Sequence, residues 1–308
     1  MSPLPMCPGC RALLDPADAL CPYCGWNIRL TETRREGGIV ERTLRPLGGL
    51  VPTLVAANVL AAAVLGVLQV LLLRSQPGHE GEGLGALLGA ILDPHTGVVA
   101  ATGAVIPEAV LDEGQWWRLF TSVFLHFGLI HIAMNMMSLL SLGQLVEEAY
   151  GSGKALAIYL ATGLAGAGAG VGWYLLVERT GAVPESFAGA GASGALCGWA
   201  GVLASLGLRV GGEEGKRLWK AMVKGVGFIL LIGLILKFRD TGGQLGNAAH
   251  LWGFLSGMAF GGVCTFGARA RGNLDAVRAW DAAAILLTAG LLVSCGMAAV
   301  WVRGMMGE

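Results

Sequence analysis

Charged residues in this chain are spaced so that long apolar stretches separate them. No Asp, Glu, Lys or Arg occurs in Pro46 to Leu73, Leu119 to Val146, Ala155 to Val177, Ser186 to Leu208, Thr241 to Ala268 or Ala282 to Val302. A helix that crosses hydrocarbon needs about 20 apolar residues at roughly 1.5 Å rise each, and each of these stretches is long enough. Gly225 to Leu236 is shorter, 12 residues between Lys224 and Lys237. It spans only if both lysines snorkel to the interfaces; otherwise it is a buried re-entrant piece. Counting it, the pattern predicts seven helices: an all-α polytopic membrane bundle with a six-helix core and a seventh, C-terminal helix. No period of 20–50 residues marks a repeat array.

Composition agrees. Of 308 residues 54% are hydrophobic and 14% charged, and the mean hydropathy is +0.64. An ordinary soluble domain carries roughly 25% charged residues. Basic and acidic residues balance at 21 each, which excludes a basic nucleic-acid binder and an acidic disordered tail. The 50 glycines show no Gly-X-Y period; they suit closely packed membrane helices instead. Lys and Arg in alternate connections total 14 on one side and 5 on the other, so the richer side is expected to be cytoplasmic. That places the N-terminus inside and the C-terminus outside. The first apolar run begins near residue 50, so no N-terminal secretory signal is expected, and a bacterial plasma membrane is the expected location. The connection 75–115 is the longest external one, with an apolar piece, Leu84 to Leu92, suited to lying at the interface.

Four of the seven cysteines fall in the first 24 residues, as Cys7-Pro-Gly-Cys10 and Cys21-Pro-Tyr-Cys24. Two such pairs can wrap one tetrahedral Zn²⁺, and so short a segment has no core without a staple. A redox dithiol is the competing reading, less suited because the segment is expected in the cytoplasm, where disulfides are disfavoured. The organisation expected is a zinc ribbon at 1–28, which is a candidate binder of a cytoplasmic partner, a basic linker at 29–45, the membrane core at 46–268, and a loop with the seventh helix at 269–308. Cys197, Cys264 and Cys295 are expected as small core residues.

Polar groups inside spans are costly and so mark function. His131 and Asn135 are four apart and share a helix face. With a helix running from about Phe127 to Val146 they lie about 6 and 12 Å below the outer surface, and His126 sits at its mouth. Ser193, eight residues after Glu185, is expected at about 12 Å on a helix entering from outside, within Gly191-Ala192-Ser193-Gly194. His250 is followed by Gly253 and Gly257, a small-x-x-x-small face for tight helix contact. A hydroxyl, an imidazole and an amide at one depth suit acyl transfer: histidine takes the serine proton, and Asn and a second His donate to an oxyanion. These spans contain no Asp or Glu, so the arrangement is a dyad.

Trp117-Arg118, His126 with His131-x-x-x-Asn135, Gly191-x-Ser193-Gly194 and Ala249-His250-x-x-Gly253-x-x-x-Gly257 together resemble the rhomboid family of intramembrane serine proteases, in order and spacing across about residues 45–265. The resemblance implies Ser193 as nucleophile and His250 as general base. It implies an oxyanion hole from His131, Asn135 and the Ser193 amide, with Gly191 and His126 in support. It also implies single-span membrane proteins as substrates, cut near the external end of their helix. A catalytically inactive rhomboid-like factor that binds membrane proteins is the alternative; a transporter is the other rival, and it predicts midplane charges that are absent. The remaining expectations are plainer. Met134, Met136 and Met137 fill the core, Glu147 and Glu148 form a solvated helix end, Trp116 and Trp117 lie at the interface, and Gly163, Gly166, Gly168, Gly170 and Gly172 allow close packing of the third helix.

Overall fold

The computed structural model describes residues 38–74, 95–181, 188–237, 243–264 and 274–305, together with Gly85 and Gly89. The ribbon cysteines Cys7, Cys10, Cys21 and Cys24, residues 29–37 of the linker and nearly all of the Leu84 to Leu92 piece lie outside these residues. The helices are α1 (Ile39–Leu44), α2 (Leu50–Arg74), α3 (Thr96–Thr102), α4 (Pro107–Leu111), α5 (Arg118–Thr121), α6 (Leu129–Tyr150), α7 (Ser152–Glu178), α8 (Ser193–Val210), α9 (Gly212–Lys237), α10 (Gly243–Val263) and α11 (Leu274–Met305). Short 3-10 turns follow α1, at Arg45–Leu47, and α5, at Ser122–Phe124.

Among the described residues, α2, α6, α7, α8, α9 and α11 are long and apolar enough to cross a membrane. Helix α10 is free of charge, but Gln244, Asn247, His250 and its glycines dilute its apolarity. It packs most extensively on α8, then on α7 and α9. The core lies around α8. There Trp199 is wholly buried and donates Nε1–H to the Ala155 carbonyl at 3.0 Å, among Leu139, Ile158, Tyr159 and Leu203. The outer helices α2 and α11, and α9 beyond Lys224, are mostly apolar and leave residues such as Leu60, Phe228 and Leu286 exposed, as helices bathed in lipid do.

At the end opposite the candidate site, here called basal, Glu147 ties three helix ends together. Its carboxylate accepts the Leu50 N–H at 2.9 Å and the Ser152 hydroxyl at 2.7 Å, so it is a structural clasp rather than a solvated end. Gly253 and Gly257 behave as expected. A Cβ on either would overlap a carbonyl of α8, that of Gly194 and that of Gly198 respectively, so α8 and α10 touch backbone to backbone.

Several expectations are corrected. Helix α9 is continuous over 26 residues, about 39 Å at the α-helical rise, rather than the 12 of the charge gap, and it is long and apolar enough to cross a membrane, as the seven-helix count expected. The basic residues before them belong to the helix and pair within it, Lys216 with Glu213 and Arg217 with Glu214, each at 3.0 Å. Helix α6 begins at Leu129, after Gly128 turns the chain at φ +91°. Met134, Met137 and Cys295 face outward while Met136, Cys197 and Cys264 are buried. Trp117 is buried and Trp116 half-exposed. Gly163 and Gly166 pack against Val123 and Ala249, but Gly168 and Gly172 meet nothing within 4 Å. Gly172 instead lines a groove of about 460 Å³ between α7 and α10, walled by Trp173 and Trp252.

Candidate active site

The site is built on an entry segment rather than deep within a helix. Ser193 is the first residue of α8, not one eight residues along it. The chain before it is held extended by a bridge between Val105 and Gly189, with both N–H···O contacts at 2.8 Å. Gly191 then donates its N–H to the Ser122 carbonyl at 2.9 Å and adopts φ +133°, a conformation a side chain strongly disfavours. The first bond back along α8 runs from Leu196 N–H to the Ala192 carbonyl at 3.0 Å. The amides at Ser193 and its neighbours are therefore helix N-terminal donors without intrahelical acceptors, at the positive end of the helix dipole.

Ser193 Oγ lies 2.7 Å from His250 Nε2. The backbone contacts of Gly253 on Gly194 and of Gly257 on Gly198 hold the two helices in that register. If the hydroxyl donates to Nε2, the neutral imidazole carries its proton on Nδ1. That atom is buried and has no hydrogen-bond partner among the described residues, so the contact with Ser193 and packing orient the ring.

His131 is fixed differently. The Phe127 N–H donates to its Nδ1 at 3.2 Å, and the Phe127 ring stacks on it at 6.1 Å with planes 4° apart. An accepting Nδ1 leaves Nε2 as the donor of the neutral ring. Both Nε2 and Cε1 lie 2.9 Å from where a Cβ on Gly191 would be, and Ser193 Oγ lies 3.6 Å from the same point. The His131 donor thus faces the turn that carries Ser193. Asn135 is buried and gives one Nδ2 hydrogen to the His131 carbonyl at 2.9 Å, leaving the other for a further acceptor. His126 is buried, edge-on to His131 at 5.1 Å, with Nδ1 3.3 Å from the Phe124 carbonyl. It supports the His131 ring and does not reach Ser193 by any hydrogen bond of the structure.

Arg118 braces the loop roof. It is buried, donates Nε–H to Gln115 Oε1 at 2.6 Å, and binds the carbonyls of Ala100 and of Ala104, the latter at 2.9 Å. Its guanidinium lies 4.8 Å over the Trp117 ring. Burial pulls its pKa down, and the Glu113 carboxylate opposes that. Sequence reasoning did not single out Ser122, Phe127 or Gln115. Ser122 acts through its carbonyl, and Phe127 through its N–H as well as its stacked ring; backbone partners are not revealed by side-chain patterns, and Gly128 just after Phe127 was the available sign of a turn there. Among the described residues no group of three His, Cys, Asp or Glu side chains is placed to hold a metal.

The Rhomboid domain matches residues 113–266, half of the chain, and the chain belongs to the rhomboid family. It is an integral membrane protein built from apolar helices. It is 32% identical over 163 residues to Rhomboid protease GluP of Bacillus subtilis (strain 168), covering 53% of this chain and 29% of that protein. It is 30% identical over 159 residues to Rhomboid protease GlpG of Salmonella paratyphi A, covering 50% and 51% respectively. RHOMBOID-like protein 1 of Arabidopsis thaliana is 28% identical over 227 residues, covering 70% of this chain and 52% of that protein. The chain thus spans from under a third to about half the length of these curated relatives.

Proposed function

We propose that this chain is an intramembrane serine endopeptidase that hydrolyses peptide bonds in or near the transmembrane segments of membrane-protein substrates. The observation that carries the reading is the 2.7 Å contact between Ser193 Oγ and His250 Nε2. Ser193 Oγ passes its proton to His250 Nε2 as it attacks the scissile carbonyl carbon. The carbonyl oxygen becomes an oxyanion, met by the Ser193 N–H, His131 Nε2–H and the free Asn135 Nδ2–H. The tetrahedral intermediate collapses with cleavage of the C–N bond, and His250 returns the proton to the departing amine. A water, deprotonated by the same imidazole, then hydrolyses the acyl-enzyme and frees Ser193.

In this reading α10 also spans, giving seven crossings. The basic side of the bundle is cytoplasmic, the N-terminus lies inside, the C-terminus outside, and the membrane is a bacterial plasma membrane. Cys7, Cys10, Cys21 and Cys24 hold one structural zinc in a ribbon that has no part in catalysis and that binds a cytoplasmic partner. One zinc per chain by atomic spectroscopy, lost in a Cys7→Ser/Cys21→Ser variant, is the expected result. The central test uses a model single-span substrate with protein reconstituted in liposomes. Ser193→Ala abolishes cleavage and labelling by a fluorophosphonate while leaving thermal stability nearly unchanged. Cleavage by that variant at the wild-type rate rejects the assignment, and a wild-type protein that neither cleaves nor labels favours the inactive membrane-protein binder.

A further inference from the structure

The proposed chemistry leaves one buried carboxylate unused. Asp281, in α11, is 5% exposed. Its Oδ2 accepts the Val40 N–H of α1 at 3.4 Å. A Cβ on Gly38 would overlap that oxygen, and a Cβ on Gly153, in the first turn of α7, would overlap Oδ1. The carboxylate therefore sits at the N-terminus of the 27-residue helix α7, where negative charge is favoured, and against the start of α1. Val40, Ala157 and Ala284 are buried together beside it. Lys154 Nζ lies 5.5 Å from the Trp280 ring, a cation–π contact that binds α7 to α11 again. One side chain thus joins the helix by which the chain enters the bundle, a central helix and the last helix.

The contact continues upward. Along α11 a Cβ on Gly290 would lie 3.1 Å from Phe120 Cζ of α5. Phe120 is two residues before Ser122, whose carbonyl receives the Gly191 N–H at 2.9 Å. Gly191 in turn packs on His131 beside Ser193. Close contacts of α11 therefore run from the basal joint to the loop that shapes the candidate oxyanion site.

We propose that Asp281 is a positioning residue: by joining α1 and α7 to α11 it holds α11 against Phe120, and so fixes the loop whose Ser122 carbonyl sets Gly191 beside His131. The inference rests on the proteolytic reading above. The test uses the full chain in liposomes, with active sites counted by fluorophosphonate labelling. Asp281→Ala lowers kcat per active site about tenfold with KM within about twofold, and Asp281→Asn, whose amide oxygen still accepts the Val40 N–H, keeps most of the wild-type rate. A purely structural role would lower the active fraction and leave kcat per active site unchanged. The joint can also be remade covalently. The Cβ position of residue 38 lies 2.8 Å from Asp281 Cγ, which puts a G38C/D281C pair within disulfide reach. Oxidised, that variant recovers at least half of the wild-type kcat; reduced, it behaves as Asp281→Ala, and neither single cysteine variant responds to oxidant. A kcat per active site within twofold of wild type for Asp281→Ala, or no gain on oxidising the pair, overturns the proposal. A ¹⁹F label on Phe120 reads the joint without catalysis. Its resonance shifts in Asp281→Ala and not in Asp281→Asn, and an unmoved resonance overturns the proposal even if the wild type proves inactive.

Discussion

Gly191→Ala is the substitution whose effect follows most directly from the geometry. The native residue stands at φ +133°, and holding a residue with a side chain in such a region costs about 1–3 kcal/mol. The new methyl would sit 2.9 Å from His131 Cε1 and Nε2. Carbon contacts are comfortable at about 3.5 Å and beyond, so the imidazole must retreat by roughly 0.5 Å, the whole tolerance of a working catalytic constellation. Loss of one oxyanion donor costs on the order of 10²–10³ in kcat. The expected outcome is a kcat lowered about a hundredfold with KM within about twofold, because the donor acts on the charge of the transition state and little on the resting carbonyl. The assay is initial-rate cleavage of a single-span substrate in liposomes, normalised by active-site titration. Gly189→Ala is the control: its Cβ would meet nothing closer than Val105 Cβ at 3.8 Å, and it should match wild type. A Gly191→Ala enzyme within threefold of wild-type kcat would refute the placement of His131 as a donor.

Gly257→Val should separate α8 from α10, because its side chain overlaps the Gly198 carbonyl. Activity should fall more than about a hundredfold and stability by about 1–3 kcal/mol or more, whereas Gly262→Val, with open space around it, should change neither; both are read by unfolding in mixed micelles beside the cleavage assay. Glu147→Ala strips the acceptor from the Leu50 N–H and the Ser152 hydroxyl. It should cost about 1.5–3 kcal/mol of stability while leaving kcat per active site unaltered, and a parallel loss of kcat would contradict its purely structural placement. Trp199→Ala removes the largest wholly buried side chain and its bond to Ala155. A loss of about 3–5 kcal/mol is expected in the same unfolding measurement, and a loss under 1 kcal/mol would count against the core as described.

The spans were legible because hydrocarbon excludes charge, so gaps between charged residues outline helices. The same rule counted α9 among the spans but under-read its length, because Lys216, Arg217, Lys220 and Lys224 continue one helix into its apolar part; a charge gap marks where polar residues stop, not where a helix does. Ser193 and His250 stood out as polar residues in apolar surroundings. The start of α8 did not, since it depends on a bridge to Val105 and on the Ser122 carbonyl, partners distant in the chain. The tautomer of His131 was equally hidden, being set by a backbone amide. Met134 and Met137 could not be told from Met136 because, in a bilayer, an apolar side chain is as comfortable against lipid as against protein.

The seam between α8 and α10 has one more consequence. At the two levels where glycine meets carbonyl, no rotatable group stands between the helices. Their spacing is inherited from the dimensions of the peptide unit, and thermal hopping of side chains has nothing there to act on. Should the surrounding lipid thicken, thin or cause tilting, the alcohol and the imidazole would travel as one rigid body, and their alignment would survive changes of bilayer that rearrange the peripheral helices.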